Sequence, residues 1–164
     1  MFFVAGSLLS AGLAAADNAN LPNFATVHPG LMRGAAPTDV GLQKLKAMGV
    51  KTIVDLRIAP KTVAKEKAQA TSLGMTFVNI PMGANPPTPK QVANWLSIAN
   101  AASPQTPVFV HCQHGADRTG EMVGIYREVH DGWPFAQTYL EMRHYGFKKS
   151  YAMLAANVKK YAKS

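Results

Sequence analysis

The 164-residue chain has one cysteine, Cys112, few acidic residues and no long apolar run. A single cysteine excludes an intramolecular disulfide. Structural zinc sites take several Cys or His at fixed spacing, and no such set is present. Only 9 acidic residues stand against 17 basic ones, a formal net charge of +8. That excess points to anionic partners: phosphorylated molecules, nucleic acid or an acidic membrane surface. Aromatic residues do not interleave with the basic ones in any repeat, which sets nucleic acid aside. No stretch reaches the about 20 apolar residues of a membrane span, so no integral span is expected. Repeats, low-complexity tracts and long linkers are also missing, and the length suits one domain.

Residues 1–16 are apolar and small, and Ala14-Ala15-Ala16 before Asp17 reads like a signal-peptidase site. The basic start of such a signal is absent, because no Lys or Arg precedes Arg33. The expectation is an export signal over 1–16 and a domain over 17–164, with the mature protein periplasmic or secreted. The alternative is a cytoplasmic protein whose N-terminal helix lies on the domain.

Strand patterns fall at Phe24–Val27, Leu31–Arg33, Thr52–Leu56, Thr76–Ile80 and Pro107–His111. Helical patterns lie between and after them. The first is capped by Thr38 or Asp39, carries Val40, Leu42, Leu45 and Met48 on its apolar face, and stops at Gly49. Others cover Lys61–Leu73, Lys90–Ala102, Thr119–His130, Pro134–Tyr145 and Ser150–Lys163, with Val92, Trp95, Leu96 and Ile98 facing inward from the third. Strands alternating with helices predict a single α/β domain: a mostly parallel central sheet of about four to five strands, flanked by helices. Ligands of such sheets bind at the carboxyl ends of strands, where Cys112 falls.

A lone cysteine is ordinarily an apolar filler, so its surroundings decide. They read His111-Cys112-Gln113-His114-Gly115-Ala116-Asp117-Arg118-Thr119-Gly120, with Cys and Arg enclosing five residues between an apolar strand and a helical pattern. Backbone N–H groups of such a loop converge on an anion, and the positive end of the following helix points at the same place. Gln113, His114, Gly115 and Ala116 supply the loop, Gly115 taking a conformation or close approach that a Cβ blocks. Arg118 can grip two phosphate oxygens with its planar fork. Cations and helix N-termini lower a thiol from about 8.5 toward about 3.5–7.5, which makes Cys112 a nucleophilic thiolate. The Thr119 hydroxyl is placed to hydrogen-bond the sulfur as it leaves, and His111 to brace the loop from behind.

The stretch resembles the protein tyrosine phosphatase superfamily signature, His-Cys-x5-Arg-Thr-Gly, and is more closely similar to bacterial dual-specificity-like phosphatases. Leu31-Met32-Arg33-Gly34-Ala35-Ala36-Pro37, Ile53-Val54-Asp55-Leu56-Arg57 and Tyr126-Arg127 through Gly132-Trp133 extend the likeness over roughly Phe24 to Tyr151. The resemblance implies a protein tyrosine phosphatase-like fold and hydrolysis of phosphomonoesters, phosphotyrosine ahead of phosphoserine/threonine, through a phosphocysteine. It further implies no cofactor or metal, a phosphorylated protein or small phosphate ester as partner, and inhibition by phosphate or vanadate. It leaves the oligomeric state open. Members of the family usually supply an aspartate as general acid on a loop upstream of the cysteine. Here that loop, Pro81–Pro89, holds no Asp or Glu, and Asn85 stands about where the acid is expected. The protonating role then passes to Asp117, or Asp117 holds the loop and the enzyme works without a dedicated acid.

Other readings compete with these roles. A phosphoinositide or other small ester is the alternative substrate, and a weakly active phosphate-binding module the alternative function. His111, Cys112 and His114 sit too close together in a tight loop to make a metal site without a fourth ligand. Arg33 and Arg57 are expected in ion pairs near the strand ends. His28, His130 and His144 are expected at the surface or in packing, and the Lys-rich tail as a solvated helix face.

Overall fold

The β-branched run Thr52-Ile53-Val54 and the apolar run before Cys112 become the middle of a five-stranded sheet. The structure, a computed structural model, describes residues 19–162. The strands are β1 (Ala25–His28), β2 (Leu31–Ala35), β3 (Thr52–Asp55), β4 (Thr76–Asn79) and β5 (Val108–Cys112). Their order across the sheet is β1-β2-β5-β3-β4, and only the β1–β2 pair is antiparallel. Helices covering both faces force central strands to be apolar throughout rather than alternating. All five residues of β5 are accordingly buried.

Six complete helices follow from the patterns expected: α1 (Asp39–Ala47), α2 (Pro60–Ser72), α3 (Pro89–Asn100), α4 (Asp117–Val129), α5 (Phe135–His144) and α6 (Ala152–Lys159). Side chains of β3 and β5 point alternately to two cores. Ile53 and Phe109 meet Leu42, Leu45 and Ala70 of α1 and α2. Val54 and Val110 meet Trp95, Met122, Tyr126 and Phe147 on the other face. Trp95 Nε1 also donates to the Met122 carbonyl at 2.7 Å, fixing α3 against α4.

The single-domain α/β architecture agrees with the expectation, while several details differ. Thr38 is the cap of α1, accepting from the Gly41 amide at 3.1 Å. The buried face of that helix is Gly41, Leu42 and Leu45, whereas Val40 and Met48 are 48% and 49% exposed. Close approach sets this rotation, because a Cβ on Gly41 would stand 2.2 Å from the Asn20 carbonyl oxygen. Strand β5 runs on through Cys112, and α4 begins at Asp117 instead of Thr119. Helix α6 is shorter than the pattern, starting at Ala152 and ending at Lys159. The expected export signal over 1–16 lies outside the described residues.

Two carboxyl groups of α4 are buried against α5 and α6. Burial pushes Glu121 up to about 8, despite the hydrogen bond it accepts from Asn157 at 3.0 Å, and pushes Glu128 up to about 7. An unfolded Glu121 releases its proton near 4.5, but the folded one holds it to about 8. Stability is therefore fully present below 4.5 and drains away as pH rises through that window. Glu121→Gln is expected to remove most of this loss. Melting curves at pH 5 and 8.5 check it: the variant's advantage should be several degrees, roughly, at the higher pH and near zero at the lower.

Candidate active site

Strand β5 ends on Cys112 at the centre of the sheet, and the chain reverses through 113–116 into the first turn of α4. The residue before that helix, Ala116, makes no side-chain cap. The first amides of α4 therefore stay available to an anion, on the positive end of the helix dipole. Gly115 has φ +67, and a Cβ there would lie 2.5 Å from the Gly34 carbonyl carbon at the end of β2. Both the left-handed backbone and the close approach require glycine.

Burial by itself would raise the Cys112 thiol. Hydrogen bonds from the Thr119 hydroxyl and from the backbone amides of Thr119 and His114, with the charge of Arg118, more than offset it, and the thiol sits below its ordinary value. Thr119 Oγ1 is buried with no hydrogen-bond partner at ordinary distance among the described residues, and the group its hydroxyl acts on is the Cys112 thiol, which it draws down. As the third residue of α4, Thr119 is not the cap of that helix.

His114, Asp117 and Arg118, from the run that follows Cys112, line a cleft of about 180 Å³ together with Gly83 and Ala84; Cys112 itself is buried and is not part of the cleft wall. The cleft is smaller than the about 300–1,000 Å³ of sites for drug-sized ligands, and it suits a phosphoryl group with the first atoms of its ester. Arg118 Nη1 donates to the Met82 carbonyl at 3.3 Å, which holds the fork beside the 81–89 loop. Asn85 is exposed and takes no part in the cleft wall, whose place on that side belongs to Gly83 and Ala84. Asp117 Oδ1 accepts from the Lys148 amide at 2.8 Å, bringing the segment after α5 to the opposite wall with Tyr151. Gln113 is exposed and outside the cleft, leaving only its backbone to the loop.

Behind the loop, the His111 ring lies between two acceptors. Nε2 is 2.7 Å from Glu66 Oε1, and Nδ1 is 3.2 Å from the Cys112 carbonyl. Glu66 also accepts from Arg57 Nη2 at 2.6 Å, and Arg57 pairs with Asp55 at 2.8 Å. Asp55, Glu66 and His111 approach each other closely enough to hold a metal ion, yet the Arg57 guanidinium already occupies both carboxylates. Glu66 was missed by motif reading. Its signal is helical spacing alone: it shares with Ala70 the buried face of an otherwise lysine-rich helix.

Arg57 forms the ion pair expected of it, whereas Arg33 does not. Arg33 is 1% exposed, donates to the Gly115 carbonyl at 2.9 Å and stacks on Tyr145 at 4.1 Å. Far from the site, Arg127 stacks on Trp133 at 4.3 Å and pairs with Glu141 and Asp131, so that stretch of the resemblance is scaffold. His28 and His130 are exposed and stand edge to face, and His144 packs on Tyr145.

Residues 16–160 match the family model described as DSP-PTPase phosphatase fused to NAD+ kinase. The dual specificity protein phosphatase TpbA of Pseudomonas aeruginosa is 30% identical over 125 residues, which are 76% of this chain and 55% of TpbA. The chain thus spans about half the length of that curated relative. A crystal structure of a cysteine-to-serine variant of TpbA in complex with phosphotyrosine superposes with a TM-score of 0.71 at 27% identity, over 84% of this chain and 83% of that one. The catalytic core of the Saccharomyces cerevisiae PP-IP phosphatase Siw14, in complex with citrate, shares the fold at a TM-score of 0.73 and 20% identity, over 86% of each chain.

Proposed function

The chain belongs to the DSP-PTPase family of phosphatases, and we propose that it hydrolyses phosphomonoesters, phosphotyrosine first, through a phosphocysteine on Cys112. One observation carries the reading: a buried thiol held below its ordinary value faces the uncapped start of α4, with Arg118 beside it. In the first step the thiolate attacks phosphorus, the ester oxygen departs with a proton, and the phosphoryl oxygens rest on loop amides and the Arg118 fork. Water then attacks the phosphocysteine, and Thr119 stabilises the departing sulfur. TpbA bound to phosphotyrosine supports the aryl ester as substrate. Phosphate and vanadate would inhibit by occupying the same cradle. An export signal over 1–16 would place the reaction in the periplasm or outside the cell.

Asp117 is the carboxyl group that the cleft offers for protonating the ester oxygen. Its tether to the Lys148 amide needs only an acceptor oxygen, which asparagine also has. Asp117→Asn therefore separates proton donation from loop support. Hydrolysis of a phosphotyrosyl peptide is expected to fall roughly 10²-fold, while p-nitrophenyl phosphate, whose leaving group needs no proton, loses far less. Equal losses on both esters would leave Asp117 as a tether only. A wild-type protein that turns over neither ester would end the phosphatase reading.

Lys148 on the cleft wall and the acid-free 81–89 loop favour a second substrate class: small, highly phosphorylated esters with good leaving groups. Running such an ester in the same assay ranks the two classes by kcat/KM.

A further inference from the structure

Three successive carbonyls of the 112–118 loop turn outward, and each meets a donor from the β1–β2 pair or the residues flanking it. The Ala36 amide donates to Gln113 O at 3.4 Å, Asn23 Nδ2 to His114 O at 3.2 Å, and Arg33 Nη2 to Gly115 O at 2.9 Å. In a trans peptide the C=O and the following N–H lie in one plane and point in opposite directions. Holding the carbonyls of 113, 114 and 115 outward therefore turns the amides of 114, 115 and 116 inward. The amide of His114 does reach the Cys112 sulfur.

Two of the three donors are side chains in unusual settings. Asn23 is the one described residue other than glycine with a positive φ, 55°, and its amide also donates to the Tyr145 carbonyl at 3.0 Å. Arg33 is buried with no carboxylate bonded to it among the described residues, and its Nε and Nη1 have no hydrogen-bond partner there. Burial draws its guanidinium down to about 10, so it remains a cation at neutral pH. A buried, unpaired charge is costly, and a structural filler has no need of one.

We infer that Asn23 and Arg33 are positioning residues of the reaction: from outside the loop they fix its peptide planes so that the amides face the phosphoryl group, and Arg33 adds a second cation beneath it. The inference rests on the phosphatase reading of the Cys112 loop. The charged groups acting on the sulfur are Arg118 from α4 and Arg33 from β2. Glu141 of α5 and Tyr145 act in turn on Arg33, opposed by Arg127.

Arg33→Met, which keeps an unbranched apolar stem, Arg33→Lys, which keeps the charge, and Asn23→Gly, which suits the positive φ, test it in the full chain. The readouts are vanadate inhibition and the pH dependence of iodoacetamide alkylation, which reports Cys112 alone because the chain has no other cysteine. Arg33→Met is expected to weaken vanadate roughly tenfold and to move the alkylation midpoint upward, with Arg33→Lys recovering most of that midpoint. Asn23→Gly is expected to weaken vanadate several-fold, roughly, without moving the midpoint. Folded variants with wild-type vanadate affinity and midpoint would overturn the inference. Should Arg33→Met not fold, unchanged vanadate affinity in Asn23→Gly is enough to do so. A wild type that binds vanadate but hydrolyses no ester would count against the proposed function while these readouts still judged the loop.

Discussion

Replacing Cys112 by Ser is expected to lower turnover of every phosphate ester by roughly 10⁴-fold or more, while vanadate and phosphate still bind. The two consequences separate because the structure divides the work between different atoms. The cradle consists of loop amides, the start of α4 and Arg118, none of which belongs to the Cys112 side chain. In the proposed mechanism the nucleophile is the Cys112 sulfur at the end of β5, and its fitness rests on a thiol held below its ordinary value. A serine hydroxyl in the same field stays protonated, so the hydrogen bonds from Thr119 and the His114 amide have no anion to stabilise. Phosphate-release assays combined with a binding titration of the variant check both halves. Turnover near wild type would remove the phosphocysteine from the mechanism, and loss of anion binding would show that the sulfur shapes the cradle.

The strand–loop–helix that carries Cys112 and Arg118 was legible because it lies in one continuous run, His111 to Gly120. A motif of this kind carries its own geometry: an apolar strand must end and a helix must start within a few residues of each other. What holds that run in place was not legible. Asn23, Arg33 and Glu66 come from separate elements and reach the loop across 91, 82 and 45 residues of sequence. No local pattern distinguishes Arg33 from a residue in an ion pair, because only the neighbouring strand decides whether its partner is a carboxylate or a backbone carbonyl. The rotation of α1 escaped for a similar reason. Val40 and Met48 fit the helical period, yet the Asn20 carbonyl against Gly41 turns both outward. Asn85 fell in the expected place along the chain, but the backbone of the 81–89 loop presents Gly83 and Ala84 to the cleft instead.

Arg118→Lys should cost roughly 10²–10³ in kcat, with a much smaller loss in phosphate affinity. Charge is conserved in this change, so any large effect must come from shape. The guanidinium is planar and offers a fork of donors; an ammonium offers a point charge on a flexible stem. In the resting site Arg118 already spends one donor on the Met82 carbonyl, 3.3 Å away, which fixes the plane of the fork before substrate arrives. During phosphoryl transfer the three equatorial oxygens spread apart and gather charge, and two of them can be held together only by a bidentate donor. A lysine can attract the ground-state dianion nearly as well through charge, so binding suffers less than turnover. It cannot both reach Met82 and span two oxygens, so its ammonium has no fixed place when the transition state forms. Steady-state kinetics on p-nitrophenyl phosphate, with phosphate as competitive inhibitor, separates the two effects. The result expected is a collapsed kcat beside an inhibition constant raised only several-fold, roughly. Equal losses in both would make Arg118 a simple electrostatic anchor, and kcat within a few-fold of wild type would leave transition-state stabilisation to the loop amides alone.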